Sequence, residues 1–87
     1  MDGETKFEAL MRHMETAVKE MAAVTRTAVD IGGKQDAFDG IMKVYPIFDR
    51  EALELLLDVA DNRRAPDDAA VIGAMQRCVQ NARQRNH

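Results

Sequence analysis

The chain has 87 residues, 46% hydrophobic and 31% charged, with a formal net charge of −3 from 12 basic and 15 acidic side chains. This length supports one domain rather than two, and the apolar content excludes an intrinsically disordered segment. The charge provides neither the positive field that holds nucleic acid nor the dense negative field of a nucleic-acid mimic.

The opening Met1-Asp2-Gly3-Glu4 is acidic where a signal peptide is basic, and no apolar run reaches the length of a membrane span. The single cysteine, Cys78, cannot close an internal disulfide. A cytoplasmic protein with no membrane association is expected. Period-2 alternation never persists, so the strand signal is weak.

The first helix is predicted over about residues 6–31. Thr5-Lys6-Phe7-Glu8 has the spacing of a capping box, in which hydroxyl and carboxylate each accept from the other's backbone amide. Phe7, Leu10, Met14, Ala17, Met21, Val24, Ala28 and Ile31 then recur as a heptad, widened by Met11 and Val18. Gly32-Gly33 supplies a stop, because glycine takes the left-handed conformation that closes a helix.

A short second helix is expected over about 37–45, capped by Asp36 and carrying Phe38, Ile41, Met42 and Tyr45 on one face. Pro46 ends it. Asp49 caps a third helix over about 50–63, with Phe48 and Leu53 placed as a hydrophobic staple. Leu53, Leu56, Leu57 and Ala60 on one face, with Ala52, Leu55 and Val59 beside it, cover more than half the circumference, the pattern of a central helix. Pro66 suits the first position of a fourth helix over about 66–83, with Asp67 and Asp68 beside the positive end of its dipole. Its main stripe is Ile72, Met75, Val79 and Ala82. The predicted fold is an all-α bundle of one domain spanning residues 1–87, with one long N-terminal helix and three shorter helices packed against it.

Residues for catalysis are scarce. There are two histidines, His13 and His87, one cysteine, and no serine or tryptophan. No metal-ligand spacing, phosphate-binding loop or nucleophile-base pair can be assembled from them. His13 reads as a boundary residue and Cys78 as a small core residue. Glu51, Glu54, Asp58 and Asp61 follow helical steps on the third helix and read as a solvated face. No cofactor, metal or small-molecule substrate is expected.

The first helix bears on function through its length. The 26 residues from 6 to 31 span about 40 Å, whereas a compact chain of this size has a diameter of about 30 Å. The helix should overhang its domain and expose its apolar stripe unless a second chain covers it. The sequence therefore predicts a non-enzymatic protein-protein interaction module, an adaptor, inhibitor or regulator. It meets its own copy as a homodimer, and an unidentified protein, through Phe7, Leu10, Met11, Met14, Ala17, Val18 and Met21. Two alternatives stand beside this: a regulator touching nucleic acid through Arg77, Arg83 and Arg85, which Asp67 and Asp68 disfavour, and a secretion-chaperone-like binding protein.

Overall fold

A computed structural model describes residues 6–85; within it, the side chains of residues 6–8, 10 and 11 lie outside the description. Among the described residues there are four helices and no strand: α1 (Lys6–Gly32), α2 (Lys34–Val44), α3 (Arg50–Ala60) and α4 (Ala69–Arg85). The predicted all-α bundle with one long N-terminal helix is the observed fold, and the element boundaries shift for local reasons.

Between α1 and α2 stands one residue, Gly33, at φ +87°. Its amide donates to the Val29 carbonyl at 2.8 Å, closing α1, and its carbonyl accepts from Ala37 at 2.9 Å, opening α2. This conformation is costly for a side chain and free for glycine. Because Gly33 fills the capping position, α2 starts at Lys34, and Asp36 lies inside its first turn instead of capping it. Asp49 caps α3 as predicted, its carboxylate accepting from the Ala52 amide at 2.8 Å.

The third helix ends at Ala60, earlier than expected. Asn62 takes φ +61°, with its amide on the Val59 carbonyl and the Arg63 amide on the Asp58 carbonyl, at 3.1 and 2.9 Å. This is a Schellman closure with asparagine in the place usually held by glycine. The fourth helix starts later than expected, since Pro66 sits in a turn closed by the Asp68 amide on the Ala65 carbonyl. Asp68 then caps α4 by accepting from the Ala70 amide at 2.9 Å.

The core forms around α3. Ala52, Leu53, Leu56, Leu57 and Val59 are buried along it, which requires cover on more than one side. The first two helices pack against it, α1 through Val18, Ala22 and Thr25 and α2 through Phe38, while α4 adds Val71, Ala74, Met75 and Cys78. The inward side of α1 is thus a stripe one residue round from the predicted heptad. Ala22 is small enough for close approach, and the Thr25 hydroxyl donates to the Met21 carbonyl at 2.8 Å, leaving its methyl to pack. Lys34 and Arg50 each stand 5.7 Å from the centre of the buried Phe38 ring.

Two measurable consequences follow from this packing. Leu56 is 1% exposed whereas Ile31 is 83% exposed. Leu56→Ala should therefore destabilise by about 2–5 kcal/mol, and Ile31→Ala by under about 0.5 kcal/mol, in urea unfolding of the two variants. Asp49 also receives the Arg77 guanidinium at 2.8 and 2.9 Å, which, ahead of the Ala52 amide, holds its pKa below the ordinary 3.8. A lowered folded-state pKa stabilises above the unfolded value, and that stability is lost as pH falls through the folded value. Wild type should therefore lose more stability than Asp49→Asn as pH drops below about 4, and equal acid limbs would show that the ionised carboxylate contributes nothing.

Candidate interaction surface

Both α1 and α4 pack on α3, but they do not close against each other. The chain is consequently a slab, with extents of 46 × 36 × 18 Å and a radius of gyration of 13.8 Å, against about 12 Å for a compact chain of this length. Among the described side chains of α1, full burial begins only at Val18; Arg12 and His13 before it are exposed.

An apolar groove of about 400 Å³ lies between the two helices. Met14, Ala17 and Met21 form one wall, Met75, Val79 and Ala82 the other, with Ile47 and Phe48 between them and Arg83 at the rim. A second groove, of about 330 Å³, continues past Met21 and Phe48 toward α2, where Val24, Ile41 and Tyr45 line it. A shallower hollow beside Val24, Ala28 and Ile31 carries the same surface to the end of α1. One apolar tract therefore runs along α1 from Met14 to Ile31, with Val24 64% and Ile31 83% exposed.

The predicted contact residues divide over this surface. Met14 and Met21 are half-buried in the groove walls, and Ala17 is exposed between them. Val18 is 1% exposed in the chain's own core, so it is unavailable to a partner. Phe7, Leu10 and Met11 lie outside the described side chains, as do the residues of the Thr5 capping box. Val79 was expected in the core stripe of α4 and is 54% exposed, because α4 turns Val71, Ala74, Met75 and Cys78 inward. Met75, Val79 and Ala82 of the α4 wall belong to the stripe read from the sequence, but their role as a groove wall had no signal there, since it depends on where α1 and α4 diverge.

Charged candidates resolve differently. The Arg77 guanidinium is held by Asp49 and, at 3.2 Å, by Glu51, so it does not join Arg83 and Arg85 in a basic cluster. The acidic row of α3 is paired along its whole length: Glu51 with Arg77, Glu54 with Lys34, Asp58 with Arg64 and Asp61 with Arg26. Each cation comes from a different part of the chain, so the row ties α1, α2, α4 and the 61–68 connection to α3. Such exposed pairs contribute little individually and fix register collectively. Among the described residues, no cluster of His, Cys, Asp and Glu could hold a metal ion, and no helix is long and apolar enough to cross a membrane.

Compared with known proteins, the chain matches no family model, no curated protein and no solved structure.

Cys78 is 3% exposed beneath the groove, and burial pushes its thiol pKa above the ordinary value. The thiolate is the reactive form, so alkylation of native protein at neutral pH should be slow and become fast in concentrated guanidinium chloride. Equal rates in the two conditions would show that the groove opens to the thiol.

Proposed function

We propose that the chain is a non-enzymatic protein-protein interaction module, working through the apolar tract of α1, and that it self-associates there. The observation that carries this reading is that Val24 and Ile31 stand open to solvent in line with Met14, Ala17 and Met21, with grooves on both sides of Met21. A contiguous exposed apolar surface on so small a chain is the usual mark of an interaction site. The non-enzymatic part is supported by the chemistry of the two best candidates for a nucleophile-base pair: Cys78 is buried with a raised pKa, and His13 is exposed on α1. Contact with nucleic acid is the weaker reading, because Arg77 is already engaged by Asp49 and Glu51.

Val24→Glu tests the reading without disturbing the core, because Val24 is 64% exposed. Wild type should run at twice the 9.7 kDa chain mass in light scattering coupled to size exclusion. The variant should run as a monomer, since desolvating an unpaired carboxylate costs the association several kcal/mol, with its helicity and melting temperature retained. A monomeric wild type at high micromolar concentration, or a variant that stays dimeric, would overturn the proposal.

A further inference from the structure

The outer edge of the α1 tract limits how two copies can meet. His13 and Glu20 stand seven residues apart along this edge, and both are exposed. Among the described residues Glu20 forms no ion pair, whereas Glu15 and Asp30 on the same helix are held by Lys19 and Arg26. Glu20 is therefore a charge with no ion-pair partner among the described residues, beside an exposed apolar tract.

In a parallel two-fold pair the outer edge of one α1 meets the groove side of the other, which sets the Glu20 carboxylate against the apolar Met14 and Met21 wall, with no cation on that wall to receive it. In an antiparallel pair like edges meet, so a copy centred near Glu20 or Met21 sets Glu20 against Glu20, a like-charge clash. Centring the antiparallel pair on Ala17 removes it: position 13 of each copy comes opposite position 20 or 21 of the other, and Met14 lies beside Met21. Ala17, the small exposed residue of the tract, then falls at the crossing, where its size allows an interaxial separation of about 8 Å. Val24 and Ala28 come to lie along the first turns of the other α1, ahead of Val18, the first fully buried side chain among those described.

We infer that a second copy of this chain covers the tract, with the two α1 helices antiparallel, the two-fold axis at Ala17, and His13 of each copy donating to Glu20 of the other. This rests on the self-association proposed above and adds its register. With a rise of 1.5 Å per residue, the two copies of Val24 would stand about 21 Å apart, whereas the two copies of Ala17 would meet within the roughly 7 Å that a disulfide can bridge.

Single cysteines read this difference. In a Cys78→Ala background, Ala17→Cys and Val24→Cys are equilibrated in a glutathione redox buffer and run on non-reducing gels, after light scattering has recorded the state of each reduced variant. Most of the Ala17→Cys chain should become covalent dimer and little of the Val24→Cys chain. If both reduced variants are dimeric and Val24→Cys cross-links while Ala17→Cys does not, the register is overturned and self-association stands. If wild type is itself monomeric, the functional reading fails as well. Should Cys78→Ala impair folding, the same pair in the wild-type background repeats the test, because the native Cys78 thiol is 3% exposed. The edge contact is read separately: Glu20→Lys should weaken dimerisation by about tenfold or more, and adding His13→Glu should restore it, so that no restoration would overturn the pairing.

Discussion

The structure depends on α3 being too apolar to face water on any broad side. Leu53 and Leu56 border the groove that α1 and α2 line, while Leu57, Ala52 and Val59 extend the buried surface to more than one face, and all five are at or below 9% exposure. Burying a leucine is worth about 1.5–3 kcal/mol relative to leaving it exposed, so the three leucines alone outweigh the exposed ion pairs elsewhere. Covering α3 with one long helix and one separate helix leaves those two to diverge. The groove between α1 and α4 follows from that geometry, as does the slab shape with its uncovered apolar side.

Helix existence and order were legible in the sequence because caps and breakers act locally. Asp49 caps where its spacing to Leu53 says it should, and Gly33 stops α1 by adopting a conformation that other residues avoid. Boundaries failed where two local signals competed. Gly33 serves both helices at once and displaces Asp36 as a cap; Asp68 caps α4 by side chain while Pro66 is used in the preceding turn. Asn62 closed α3 in a left-handed conformation that asparagine tolerates better than most residues, a signal present in the sequence but weaker than glycine's.

The face of α1 was harder to read because the helix carries two interleaved apolar stripes. One, Met14, Ala17, Met21, Val24, Ala28 and Ile31, has no polar interruption and so dominates any periodicity count. The other, Val18, Ala22, Thr25 and Val29, contains a threonine and looks discontinuous. Folding uses the second for the core, since a threonine that returns its hydroxyl to its own helix packs much as a valine does. The acidic row of α3 does lie at the surface, as read, and what the sequence hid was its pairing, because the cations Arg26, Lys34, Arg64 and Arg77 lie on other elements and only the tertiary fold brings them together.

What the core leaves over is the physical argument for an interaction role. Val24 and Ile31 contribute almost nothing to burial within the chain, at 64% and 83% exposure. As β-branched residues on a helix they are also poorer helix formers than alanine, lysine or glutamate would be. Stability of the isolated chain therefore gives no reason for either residue, and solubility argues against both. Scattered apolar residues on a surface need no explanation. These two belong to a single row with Met14, Ala17 and Met21, bordered by grooves whose far walls, Val79 and Tyr45, are exposed as well. A row that the fold does not use, placed where two helices diverge and leave room beside it, has the form of half an interface, and its cost to the monomer is offset only when a second surface covers it.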